Sequence, residues 1–192
     1  PGGHMTIVGA NAPSGLAARP IRVLLFDEID RYPQSAGSEG DPVNLATKRT
    51  TTFWNRKLVL VSTPTNKGAS RIETAYEGSD QRQYWVPCPD CGESQTLKWA
   101  SVHWDKAVDG EHLPETAHYV CEHCGSVWDD EKRWSTIKDG EWIAQEPFTG
   151  TAGFHLNEIV SPWVRLASMV RNFLDAKKGG DELMKTFINT SL

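Results

Sequence analysis

Four cysteines and one pair of neighbouring acids are the residues of this chain best suited to chemistry. The cysteines form two knuckles, Cys88-Pro89-Asp90-Cys91 and Cys121-Glu122-His123-Cys124, each followed by glycine, with 29 residues between them. Two residues between thiolates let both sulfurs turn onto one ion, and the glycine relieves the backbone where amides turn toward sulfur. Cys88, Cys91, Cys121 and Cys124 thus read as a tetrahedral four-cysteine zinc site of the closed, structural kind, with no position left for a substrate. Disulfides would need an oxidising compartment, which nothing in the chain suggests. A redox CxxC is the other alternative, and the duplicated spacing argues against it. His123 reads as a surface residue while four thiolates are available. Zinc would supply the folding energy that a small, loop-rich module lacks. The aromatics around it could stack on bases, but read first as the module's own small core.

The acids are Asp27 and Glu28, which follow the apolar run from Ile21 to Phe26. Such a run predicts a strand buried on both faces, as in a parallel sheet. In open α/β sheets the chemistry sits just past the carboxyl ends of the strands. A strand followed by an ordinary acidic turn is the plain alternative. For ATP hydrolysis the division of labour would be clear: Asp27 to hold Mg²⁺, Glu28 to orient and deprotonate the attacking water. A second run, Lys57 to Ser62, ends in the polar corner Thr63-Pro64-Thr65. There Ser62, Thr63 and Thr65 would sense the γ-phosphate. Asp30 reads as a cap of the turn. Arg31, Arg49, Arg56 and Lys67 are candidate phosphate or DNA contacts, each more simply read as a solvated surface charge. The P-loop pattern GxxxxGK[ST] is absent from the sequence, so these residues alone do not cradle a triphosphate.

The elements that must position these groups follow from periodicity and punctuation. Residues 5–9 look like a strand, and Asn11 and Ser14 can cap a short helix over 15–18. Asp41-Pro42 is a helix start, with an N-cap acid and then proline at the first helical position. Ser70-Arg71-Ile72-Glu73 is a capping box opening another helix. Strand, helix, strand, helix with short connections implies βαβ units and a parallel sheet, with the runs at 21–26 and 57–62 side by side or close. Asp27, Glu28, Ser62, Thr63 and Thr65 would then emerge at one edge. From Gln83 the character changes to short alternating segments holding all four cysteines. Residues 129–139 read as a helix ended by Gly140, and 142–144 and 153–156 as short strands. Ser161-Pro162 opens a longer helix whose stripe is Val164, Leu166, Ala167, Met169, Val170, Phe173 and Leu174. Gly179-Gly180 ends it, and 181–192 reads as a further helix.

The chain has 192 residues, 39% of them hydrophobic and 23% charged, with a formal net charge of −5. This is the composition of a globular chain with one ordinary domain plus a small module. Bulk charge does not favour nucleic acid, so any such contact must be local. No apolar run approaches the length of a membrane span and no signal peptide opens the chain, which leads to the expectation of a reducing cytoplasm. Pro1 cannot be an initiator, so the chain is expected to be a fragment of a longer protein, or to carry a tag scar before Met5. A P-loop would then lie upstream; otherwise the chain does not hydrolyse ATP.

Several segments together resemble one family: Pro1-Gly-Gly-His, Gly9-Ala-Asn-Ala-Pro-Ser, Arg19-Pro-Ile-Arg, Asp27-Glu-Ile-Asp-Arg-Tyr-Pro, Glu39-Gly-Asp-Pro, Lys48-Arg-Thr-Thr-Thr-Phe, Ser62-Thr-Pro-Thr, the paired knuckles, Gly153-Phe-His-Leu-Asn, Ser161-Pro-Trp and Phe187-Ile-Asn-Thr. The chain looks like the large terminase subunit of lambda-like tailed phages, the GpA family, over essentially its whole length. The resemblance implies an ATP-driven motor that packages viral DNA into a preformed capsid, with a separate nuclease domain further on. It makes Asp27 and Glu28 the Walker B pair, and Ser62, Thr63 and Thr65 the motif coupling hydrolysis to DNA movement. The implied fold is α/β: a partial P-loop-type (ASCE-like) parallel sheet with helices, plus a small antiparallel zinc-ribbon module. The implied division is 1–82 for the later part of the ATPase core, 83–128 for the zinc-ribbon insertion, and 129–192 for a return to the ATPase subdomain and a helical linker. Double-stranded viral DNA, a small terminase subunit, the portal protein and further copies of the chain are the implied partners, in the cytoplasm of a bacterial host. Without a P-loop the chain alone is expected to be inactive.

Two other readings remain at this stage. One is a zinc-ribbon nucleic-acid-binding module without catalysis, for which residues 1–80 would be dispensable scaffold. The other is a helicase-like ATPase of another family, since an Asp-Glu strand with a Ser-Thr corner recurs in motor proteins.

Overall fold

The computed structural model describes residues 3–66 and 68–192. Pro1, Gly2 and the candidate phosphate contact Lys67 lie outside the described residues. The chain divides into two compact units, residues 1–74 and 75–192.

In the first unit, α1 (Pro13–Ala17), β1 (Val23–Asp27), α2 (Pro42–Thr47) and β2 (Lys57–Val61) follow one another, and α3 (Arg71–Glu77) runs across the division. β1 and β2 pair in parallel, Val23 opposite Lys57 through Asp27 opposite Val61. Asp41 caps α2 by accepting from the Asn44 amide at 2.9 Å, with Pro42 in the first turn. Ser70 caps α3 through the Glu73 amide at 3.0 Å. Glu73 reaches back to the Gly68 amide, two residues further than a capping box requires. The core is small: Leu16, Phe26, Ile29, Ala36 and Ala46, with Leu24, Leu58 and Leu60 against it.

Two expectations are corrected here. Residues 3–9 form no strand and are exposed. β1 is covered on one face only: Leu24 and Phe26 turn inward, whereas Val23 is 43% and Leu25 65% exposed. Among the described residues its sheet has two strands, and the core lies on one side. The run is therefore apolar throughout although only alternate residues are buried in this unit.

The second unit holds β3 (Arg82–Pro87), β4 (Ser94–Thr96), β5 (Val102–Lys106), β6 (His112–Val120), β7 (Val127–Trp128), α4 (Asp130–Ile137), β8 (Glu141–Ile143), β9 (Phe154–His155), α5 (Leu166–Gly179) and α6 (Asp181–Ser191). β3 pairs antiparallel with β4 and β8 and parallel with β9. β6 pairs antiparallel with β5 and β7. One core joins the cysteine region to the C-terminal helices: Val86, Leu97, Tyr119 and Trp128 belong to the same cluster as Met169 and Val170. Asp129 caps α4 through the Lys132 amide at 2.8 Å. Gly140 follows it because a Cβ there would lie 2.6 Å from the Tyr84 ring and 2.8 Å from the Trp85 carbonyl oxygen.

Two buried charges organise this unit. Asp80 is fully buried. Its carboxylate accepts from Arg82 Nε at 2.9 Å and the Gly153 amide at 3.0 Å, and its carbonyl accepts from the Gln145 and Glu146 amides. Burial alone would push the Asp80 carboxyl up, but Arg82 and the Gly153 amide hold it below the usual range. Arg133 is fully buried too. Its guanidinium donates to the carbonyls of Ile159, Ser161 and Val164 and to Asp130, while Asp130 also accepts from the Leu166 amide. This corrects the expected start of the long helix at Ser161-Pro162. Those carbonyls are engaged by Arg133, and the helix begins at Leu166.

Candidate functional site

The first site is the rim where β1 and β2 end together. Asp27 closes β1 and is exposed, as is Glu28. Glu28 has φ 54° and ψ 48°, the left-handed region. A bulky residue held there costs about 1–3 kcal/mol, and such strain clusters at working sites. The turn brings Asp30 to the end of β2. The Asp30 amide donates to Ser62 Oγ at 3.2 Å. Its carboxylate accepts from the Thr65 amide at 3.0 Å, Thr65 Oγ1 at 3.1 Å and the Ile72 amide at 2.9 Å. Ser62 in turn donates to the Thr63 carbonyl at 3.0 Å. Burial alone would raise the Asp30 carboxyl; hydrogen bonds from Ser70, Ile72 and Thr65 outweigh it and hold the group below the usual carboxylate range.

The two strand ends thus meet, as the sequence implies, but through a residue that reads as a mere turn cap. Asp30 links the acidic turn, the hydroxyl corner and the start of α3. No local pattern signals this, because its partners lie 32 to 42 residues away. Of the cations considered, Arg31 and Arg56 are exposed, and Arg49 donates back to the Ala17 carbonyl at 3.4 Å. Arg71 pairs with Asp41 at 2.8 Å and donates to the Pro33 carbonyl.

The second site lies in the second unit. Each knuckle sits in the turn of a hairpin, between β3 and β4 and between β6 and β7. Their backbones repeat one pattern. Cys88 N donates to the Glu93 carbonyl and Gly92 N to the Cys88 carbonyl; Cys121 N donates to the Ser126 carbonyl and Gly125 N to the Cys121 carbonyl. Gly92 and Gly125 have φ 78° and 73°, open to glycine at no steric cost. The four sulfurs all lie within 4.8 Å of one another, Cys88 and Cys124 at 3.8 Å. A tetrahedral four-thiolate site with bonds of about 2.3 Å needs sulfurs about 3.8 Å apart, so the donor set fits a metal ion.

Donors surround the sulfurs. The amides of Asp90 and His123 point at Cys88 and Cys121 at 3.5 and 3.4 Å. Gln95 Nε2 donates to Cys121 at 3.2 Å, and Ser126 Oγ lies 3.5 Å from Cys88. Burial works against ionising Cys88, yet Ser126 and the nearby amides bring its thiol down to about 6. The Glu93 amide pulls Cys91 down, but burial and the three other sulfurs push it up to about 12. The sulfurs compete for protons, and a divalent cation relieves that competition. Cys88 and Cys121 are buried, Cys91 and Cys124 exposed. His123 is a half-exposed neighbour, 4.0 Å from Glu122. Gln95 and Ser126 carry no sequence signal beyond falling near the knuckles.

Among the described residues, no helix is long and apolar enough to cross a membrane. No solved structure matches the chain. Residues 1–142 match the family model described as phage terminase large subunit gpA, ATPase domain, and residues 151–192 match terminase large subunit gpA, endonuclease domain. The chain is 30% identical over 209 residues to the large terminase subunit of Enterobacteria phage P21, and 26% identical over 205 residues to that of Escherichia phage lambda. Each match covers 96% of this chain and 32% of the relative. The chain therefore spans about a third of the length of these relatives. With the ATPase-domain match running over most of its length, the chain belongs to the phage terminase large subunit gpA family.

Proposed function

We propose that this chain is the segment of an ATP-driven DNA-packaging motor that runs from the hydrolytic acids through the coupling corner and a zinc ribbon toward the nuclease region. Residues 1–82 would carry the acids and the corner, 83–128 the ribbon and 129–150 the return to the ATPase part, while 151–192, expected to be a helical linker, match the endonuclease-domain model and would open the nuclease region. Asp27 is the residue to hold Mg²⁺, which when bound neutralises phosphate charge. Glu28 orients the attacking water and takes its proton. Ser62, Thr63 and Thr65 answer to the γ-phosphate. Cys88, Cys91, Cys121 and Cys124 hold one structural Zn²⁺. In the assembled motor the partners are double-stranded viral DNA, a small terminase subunit, the portal protein and further copies of the chain.

The observation that carries this reading is the link through Asp30. The acidic turn of β1 and the hydroxyl corner of β2 are bonded to one another, so a change felt at one is passed to the other. Glu28→Gln in a full-length terminase carrying a P-loop tests it. Nucleotide binding should persist while turnover falls by about 10²–10⁴-fold, the usual loss with a general base. Hydrolysis at the unmodified rate removes Glu28 from the chemistry.

A further inference from the structure

Gln95 occupies an unusual position for an amide. It lies on β4 opposite Val86, and both residues are fully buried. A buried amide without partners costs several kcal/mol of desolvation, so each polar atom there needs an account. Both ends of this one are used. Nε2 donates to Cys121 Sγ at 3.2 Å, and Oε1 accepts from the Glu122 amide at 3.0 Å. The side chain crosses from the first hairpin to the second knuckle, spanning 26 residues of sequence. An apolar residue would fill the same space and pack against the same core. What only the amide supplies is a donor aimed at a ligand sulfur and an acceptor for the residue next to it.

We propose that Gln95 is a positioning residue for the metal, acting through Cys121. This rests on the zinc reading above. Four thiolates around a divalent ion leave net negative charge in a partly buried site. A hydrogen bond to an ionised acceptor is about twice as strong as a neutral one, and here it draws off part of that charge. The bond to the Glu122 amide fixes the backbone that presents Cys121. Outer partners of this kind typically govern about 10–100-fold in metal affinity.

The test uses the 192-residue chain loaded with Co²⁺ for spectroscopy and with Zn²⁺ for chelator competition. Gln95→Met keeps the length and removes both amide groups. Its thiolate-to-cobalt charge-transfer band should move to lower energy, since sulfur loses a donor, and zinc affinity should fall by about 10-fold. The band is read only from metal-bearing chains, so poor folding lowers its amplitude without moving it. Gln95→Glu keeps an oxygen for the Glu122 amide and replaces the donor with a carboxylate. At pH 8 it should weaken zinc by about 100-fold. A wild-type chain that loads one ion, with the band unmoved in Gln95→Met and affinity within twofold in both variants, overturns the role of Gln95 alone. A wild-type chain that takes up no metal overturns the zinc reading, and the role of Gln95 falls with it.

Discussion

The two sites are built on opposite principles. At the cysteine cluster each knuckle closes on itself through paired backbone bonds, and Cys88 and Cys121 belong to the same buried core as Met169 and Val170. At the rim, one carboxylate gathers the acidic turn, the corner and the start of α3. The residue before it, Ile29, is buried, but Glu28 is held in a left-handed conformation. The difference teaches where change is tolerated. A cluster locked into a core is costly to disturb, whereas a rim gathered by one carboxylate hangs on few, breakable bonds.

Four measurements would break or sharpen that contrast. The largest effect is expected from Cys121→Ser. Binding of a structural zinc is worth about 10–16 kcal/mol in small modules, so with the proposed zinc at the four cysteines the second unit should lose its cooperative fold. Seven of the eight tryptophans lie in that unit, and near-UV circular dichroism would collapse; a retained spectrum would mean the cluster is not the staple described. Next is Arg133→Met, which strands three carbonyls and Asp130. A loss of about 3–5 kcal/mol is expected, as when one partner of a buried charge pair is removed, read from denaturant midpoints with zinc present.

Asp30→Ala should cost about 2 kcal/mol through orphaned amides, confined to the first unit. Its pH dependence carries a sign. The folded group titrates below its ordinary value, so its stabilisation is complete above the ordinary carboxylate range and fades as pH falls through the lowered value. Asp30→Asn should flatten that acid limb, and an unchanged limb would show that the gathering carboxylate matters little. The smallest effect is expected from Glu28→Gly. Relief of the left-handed strain should keep stability within about 1 kcal/mol of the parent or above it, although the proposed catalytic carboxylate is gone. A large loss would mean Glu28 supports the fold.

How far the sequence reveals this architecture depends on the range of the interaction. The knuckles are legible because CxxC followed by glycine is a local pattern, and the positive φ of Gly92 and Gly125 is what that pattern demands. The parallel pairing of β1 and β2 is legible from two apolar runs and the short helix between them. A strand at 5–9 follows from composition, but its residues find no partner strand among the described residues. Burial of both faces of β1 follows from an apolar run, and a run cannot say whether a second layer is there. Asp30, Arg133, Asp80 and Gln95 escape notice for one reason. Each looks like an ordinary polar residue until tertiary structure brings carbonyls, amides or a sulfur to it from 26 or more residues away.

The stretch between the two family matches, residues 143–150, has the look of a tether: exposed, with Pro147 and Gly150. Asp80 makes it something else. Its carbonyl grips the near end at Gln145 and Glu146 and its carboxylate the far end at Gly153, where even one methyl group would collide with the Ser79 hydroxyl. A protease that nicks the chain between Glu146 and Gly150 should therefore yield two fragments on a denaturing gel and one particle on a sizing column. Pull on the far side and the load passes into β3 rather than slackening a leash.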